Sequence, residues 1–193
     1  MGDCHSHFTV LDEILTREEP FDYFLSVGDL GVIPTDVINK WSSRGFSIYG
    51  NHDVTESFPR LSIYHELDNL KICGLNGMIK SRTFIRDTST NISFREILYA
   101  SHLSNIDILV THQPPSGIFE DMGEAVLDEL VRYMVPKLYI FGHTHKYRLK
   151  FYLNTFLLSL PILSNGYGVV YFENEKMTNI EIIIKKNRRM VRI

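Results

Sequence analysis

Four times along this chain a short apolar run stops abruptly at aspartate, asparagine or histidine: "FLSVGD", "FSIYGNHD", "ILVTHQ" and "LYIFGHTH". Runs of this length, rich in β-branched and aromatic residues and closed by glycine or a polar cluster, read as buried strands. Helical patterns lie between them. "FTVLDEILTREE" carries Phe8, Leu11, Ile14 and Leu15 at helical spacing until Pro20 stops it, and "PTDVINKWSSRG" opens on Pro34-Thr35 and closes on Gly45. "SFREILYASHLS" and "GEAVLDELVRYMVP" supply two more. Strands alternating with helices constrain the chain to an α/β fold, in which ligands bind outside the carboxyl ends of strands. Asp29, Asn51, His52, Asp53, His112, His143 and His145 all stand at such ends, so distant segments are expected to converge on one crevice.

The rest of the chain reads as short strands. "LSIYHELDNLKICGLNG" holds two joined at "ELDN", and the C-terminal third reads as hairpins turning at Leu153-Asn154 and near Asn174-Glu175. No linker or repeat interrupts the 193 residues, so one domain over 1–193 is expected, ending in a basic, solvated tail at 185–193. The apolar runs "IEIII" and "TFLLSLPIL" are far too short to span a bilayer, and the first residues show no signal-peptide pattern. A cytoplasmic protein without membrane contact is the expectation. Cys4 and Cys73 are expected as free thiols, with Cys73 buried in a strand. The formal charge of −3 does not indicate a nucleic-acid partner, although it permits one. Oligomeric state is left open.

With Asp3 and His5 from the opening "MGDCHSH", the donors Asp3, His5, Asp29, Asn51, His52, His112, His143 and His145 make two carboxylates, one amide and five imidazoles. Any one of these alone is more simply a hydrogen-bonded residue at a strand end. Together they exceed what a single ion of four to six ligands needs, so two divalent ions are expected, with manganese favoured and iron, zinc or nickel as alternatives. A two-metal site also needs a bridging ligand, for which Asp29 is the natural carboxylate.

In motif order the chain resembles the calcineurin-like metallophosphoesterases: Asp3-Cys4-His5, Gly28-Asp29, Gly50-Asn51-His52-Asp53, His112, then Gly142-His143-Thr144-His145. Small archaeal and bacterial phosphodiesterases of that family are the best match in length. The resemblance implies a four-layer α-β-β-α sandwich of two mixed sheets, here with the first strand truncated because only Met1 and Gly2 precede Asp3. It implies one metal on Asp3, His5, Asp29 and His145 and the other on Asp29, Asn51, His112 and His143. His52 would stand beside the metals and assist the leaving group while a metal-bridging hydroxide attacks phosphorus in line; Asp53 or Glu56 would orient it.

The segment "GDLGVIP" lacks the acid and arginine of the family's protein phosphatases, which points to a small phosphoester or nucleotide substrate, with a diester favoured. A retromer subunit of the same fold suggests the alternative of a protein-binding scaffold, and the basic tail suggests a nuclease. Retention of His52 with every ligand favours the enzyme. His7, His65 and His102 are expected to be structural or surface residues, and "HQPPSG" and "SNGYG" to be loops near the site, with Tyr167 stacking on substrate. Either the true start lies upstream of Met1, or the domain begins with its ligand, in which case the positive α-amino group is expected to loosen the Asp3/His5 metal.

Overall fold

The computed structural model describes residues 1–53, 58–79, 91–118, 123–185 and 187–193. A six-stranded sheet runs in the order β3 (His65–Leu67), β4 (Leu70–Leu75), β5 (Ile108–Thr111), β6 (Leu138–Phe141), β8 (Thr155–Ser159), β7 (Arg148–Tyr152). Its four central strands are parallel, and β3 and β7 close the edges antiparallel. Both faces are covered, so its strands are buried runs whose side chains alternate between two cores. Leu109, Tyr139, Phe141 and Leu157 pack against α3 (Phe94–Ser101) and α4 (Ala125–Met134). Ile108, Val110, Leu138, Ile140 and Leu158 face the second β layer. A capping box, in which Ser93 accepts from the Glu96 N–H and Glu96 accepts from Ser93, starts α3.

The second β layer comes in two hydrogen-bonded pieces. β1 (Phe24–Ser26) pairs in parallel with β2 (Gly45–Ser47), and β9 (Gly166–Glu173), β10 (Lys176–Ile184) and β11 (Asn187–Arg192) form an antiparallel sheet with β10 central. The chain's first residues tie the pieces together. Met1 donates to the Leu25 carbonyl (2.5 Å) and accepts from the Val27 N–H (3.1 Å), as a parallel strand residue would, while Asp3 O accepts from the Leu163 N–H (2.9 Å). Helices α1 (Phe8–Glu18) and α2 (Thr35–Trp41) form the outer layer, burying Leu11, Ile14, Leu15 and Trp41 against Phe24, Tyr167 and Ile183. The order is therefore helix, sheet, sheet, helix, as the resemblance implies. Each large apolar side chain sealed between layers contributes roughly 1.5–3 kcal/mol.

The hairpin turns fall where the sequence puts them, with positive φ at Leu153-Asn154 (48° and 65°) and Asn174-Glu175 (49° and 63°), the conformation of tight hairpin loops. The basic C-terminal run differs. It is not a solvated tail but the edge strand β11, registered against β10 from Asn179↔Arg192 to Ile184↔Asn187. Arg188 secures it, bonding both carboxylate oxygens of Glu18 (2.6 and 2.7 Å) and Glu181 (3.0 Å). No helix among the described residues is long and apolar enough to cross a membrane, and Cys4 and Cys73 are both free and buried.

Candidate metal centre

The carboxyl ends of β1, β2, β5 and β6 open onto one crevice, and the residues placed there by sequence meet in it. Asp29 is the hub. Its backbone carbonyl accepts from Cys4 (3.0 Å) and His5 (2.8 Å), its Oδ1 accepts from the His52 N–H (2.8 Å), and its Oδ2 lies 3.4 Å from His112 Nε2. Non-glycine positive φ recurs at His5, Asp29, His143 and His145 (46°, 51°, 65° and 55°). Such backbone costs of order 1–3 kcal/mol per residue and persists only where surrounding contacts over-determine it. Close approach also explains two glycines that precede ligands: a Cβ on Gly50 would sit 2.1 Å from Asp29 Oδ1, and one on Gly142 2.2 Å from Asp3 Oδ1.

Two triads of donor atoms each lie within 4.8 Å: Asp3, His5 and His145, and Asp3, Asp29 and His112. Asp3 is common to both, whereas the sequence points to Asp29 as the shared carboxylate. Asn51 joins the second group through its Oδ1, 3.0 Å from His112 Nε2. His143 belongs to neither triad; its ring centroid is 5.0 Å from that of His112, and its backbone N–H donates to Asp3 Oδ2 (3.1 Å).

The donor chemistry fits cations. His112 donates Nδ1–H to the Val27 carbonyl (2.8 Å), so Nε2, which faces the Asn51 and Asp29 oxygens, is the nitrogen that takes up a second proton or a metal ion. Three acceptors aimed at one another repel unless a proton or a metal ion stands among them. At the other triad His145 Nε2 is 2.8 Å from Asp3 Oδ2 and 3.2 Å from His5 Nε2. Two nitrogens each about 2.1 Å from one ion are roughly 3.0–3.4 Å apart at tetrahedral or octahedral angles.

Electrostatics follow the same crowding. Burial raises the Asp3 carboxyl pKa above its usual range, against the pull of His112. Burial alone would lower His112, but the Asp29 and Asp3 carboxylates override it and raise its pKa. For Asp29 burial opposes ionisation, yet bonding to His112 carries its pKa below the usual range. His143 is lowered by burial and by the neighbouring His112. Burial also pushes the Met1 amino group down to about 5, against the pull of Asp3.

Asp53 has a different task from the one expected. Its carboxylate does not orient His52: Oδ2 accepts from the Asp29 N–H (2.7 Å) and the Gly50 N–H (2.8 Å), and Oδ1 from the Gly31 N–H (3.1 Å). The side chain is 5 % exposed, and it fastens the Asp29 loop to the Asn51-His52 loop. Glu56 lies outside the described residues. His52 itself is exposed, its ring centroid 5.8 Å from that of His5.

Tyr167 is buried in the α1/β9 core, its hydroxyl donating to Glu18 Oε1 (2.6 Å), so it does not stack on substrate. Gln113 is buried as well and accepts from the Ile79 N–H (2.5 Å) through Oε1. His7 is the exposed residue before α1, His65 packs on Phe46, and His102 Nδ1 bonds the Leu98 carbonyl (2.7 Å), and none of them belongs to either triad. Sequence reasoning misses the Val27 carbonyl, which sets the His112 tautomer, and no side-chain signal could show it.

A family model described as calcineurin-like phosphoesterase matches residues 1–147. Among solved structures, TT1561 of Thermus thermophilus superposes with TM-score 0.68 at 11% identity, covering 100% of this chain and 96% of that one. Vps29 complexed with zinc, from Entamoeba histolytica, gives 0.55 at 13% identity, covering 100% and 91%. An archaeal phosphodiesterase gives 0.51 at 15% identity, covering 100% and 97%. At these identities the likeness shows the shared fold. No curated protein matches the chain significantly.

Proposed function

The chain belongs to the calcineurin-like phosphoesterase family, and on that premise we propose that it is a phosphodiesterase dependent on two divalent metal ions, manganese favoured. One observation carries the reading: His112 Nε2 and the Asn51 and Asp29 oxygens converge, beside a second triad sharing Asp3, as a donor set suited to divalent cations. His5, His145 and Asp3 would hold one ion, and Asp29, Asn51 and His112, with Asp3 or His143, the other. When bound, such ions neutralise charge building on a phosphoryl group and provide a nucleophile near neutral pH.

The chain's own residues supply orientation and a proton. In the overall reaction water adds its oxygen to phosphorus as the bond to the leaving oxygen breaks, and that oxygen must gain a proton. His52 would give it; in support, Asp29 Oδ1 holds its backbone and its exposed ring lies beside that of His5.

Hydrolysis of bis-p-nitrophenyl phosphate with added Mn²⁺, against p-nitrophenyl phosphate, tests the reading. Turnover of the diester is expected, and His52→Ala should lower kcat by about 10²–10⁴-fold while calorimetry finds metal affinity unchanged. Two ions bound with no turnover of either ester across several metals would instead support the protein-binding scaffold.

A further inference from the structure

Several cations among the described residues are neutralised by ion pairs. Lys40 pairs with Asp12 (2.8 Å), Arg44 with Glu19 (2.7 Å), Arg132 with Asp128 (2.9 Å), Lys137 with Asp107 (2.5 Å) and Arg188 with Glu18 (2.6 Å). Lys71, Arg95, Lys146, Lys150, Lys176, Lys185, Arg189 and Arg192 have no ion pair among the described residues, and of these Lys146, Lys185 and Arg189 are exposed and set apart by their place in the fold. All three lie at the metal-centre end of one sandwich edge.

Lys146 directly follows His145, and its carbonyl accepts from Ser159 Oγ (2.8 Å) at the end of β8. Lys185 donates its N–H to the Asn165 carbonyl (3.0 Å), in the loop whose Leu163 N–H donates to Asp3 O (2.9 Å). Arg189 stands opposite Ile182, and Ile182 faces the six-stranded sheet, so Arg189 is on the face turned toward β7. Burial raises the Tyr147 hydroxyl pKa, and Arg189 is near enough for its charge to oppose that shift. Glu181 on β10 and Glu18 on α1 are engaged by Arg188 on the opposite face of β11.

We propose that this edge is a phosphate-backbone track, and that the substrate is a single-stranded oligonucleotide whose scissile diester lies at the metal centre while flanking phosphates rest on Lys146, Lys185 and Arg189. This rests on the phosphodiesterase reading and names its substrate class. Unpaired, exposed cations cost little to desolvate and release condensed counterions when phosphates bind. An oligonucleotide suits the edge better than an acidic protein, because the same ligand then satisfies both the ester chemistry and the row of positive charge. The net charge of −3 is no obstacle, since acids elsewhere are paired with other cations and only the local field meets the ligand.

Truncation after Ile184 is a poor test, because it deletes a structural strand. Charge changes that keep β11 are better: Lys146→Glu/Lys185→Glu/Arg189→Glu, a milder set with Gln at all three positions, and a control set Lys71→Glu/Arg95→Glu/Lys176→Glu. Fluorescence anisotropy follows a labelled, phosphorothioate-linked single strand on the manganese-loaded protein across a salt series. Three phosphate contacts imply a slope of log K against log salt near −2, at about −0.7 per contact.

The Glu set should flatten that slope and lower affinity at least tenfold more than it lowers kcat/KM for bis-p-nitrophenyl phosphate, with the Gln set between and the control near the parent. The proposal is overturned if the slope survives in both variant sets, if control and edge sets act alike, or if polyglutamate competes as well as the unlabelled strand. Binding is read separately from turnover, so absence of hydrolysis would refute the phosphodiesterase reading without imitating any of these results.

Discussion

Replacing Asp53 separates a backbone clamp from a partner of His52. The carboxylate accepts three N–H groups at 2.7, 2.8 and 3.1 Å while almost fully buried, and hydrogen bonds to a charged acceptor are each worth about 1.5–3 kcal/mol. Because the three share one carboxylate they do not add fully, and Asp53→Ala should cost roughly 4–6 kcal/mol, much of a small domain's stability. Asp53→Asn keeps the oxygen that receives Asp29 and Gly50 but turns an amide N–H toward that of Gly31, so about 2–3 kcal/mol is expected. Both variants should also bind Mn²⁺ more weakly, by roughly 10–100-fold, because the clamp aims Asp29 and the Asn51 loop without touching metal. Urea denaturation of the metal-free protein and calorimetric titration of Mn²⁺ measure the two effects. An alanine variant that loses less than about 1 kcal/mol and binds manganese like the parent would refute the clamp. If the alanine variant does not fold, the asparagine variant still decides.

Two further outcomes follow from the same loops. Gly50→Ala puts a Cβ against the Asp29 carboxylate and should cost roughly 2–4 kcal/mol with loss of metal binding, whereas Gly117→Ala, at φ 71° in open space, should cost only about 1–2 kcal/mol; comparable denaturation midpoints for the two would refute the close approach. Because the folded His112 pKa is raised, protonated His112 contributes stability that is full below its unfolded value of about 6.5 and is lost as pH rises through the folded value. In EDTA, the Tm gap between the parent and His112→Gln should therefore shrink as pH rises above that range, and a widening gap would contradict the assignment.

Much of the site is legible directly in the chain. Asp29, Asn51 and His112 stand out as donors because each interrupts an apolar run, and an abrupt change of polarity at a strand end is a local signal. The Asp68-Asn69 turn between β3 and β4, with φ 46° and 69°, is legible for a similar reason, since those residue types favour that backbone. Sequence reasoning misplaces Tyr167 because its loop does begin near Asp3, at Leu163, and only the register of β9 against β10 turns the ring into the α1 core. The C-terminal run resembles a tail because five basic residues mask its pairing; Arg188 is tolerated there by Glu18, 170 positions away.

Which donors exist, and that they lie at the carboxyl ends of strands, is written in the order of the residues, because periodicity, glycine placement and side-chain type act over a few neighbouring positions. Three features depend instead on the packed layers: Asp3 serves both triads, the Val27 carbonyl holds His112 Nδ1 so that Nε2 faces the other donors, and Asp53 commits its charge to three amides. These rest on backbone groups, which nearly every residue carries alike, and on distances between segments that meet only when the layers pack.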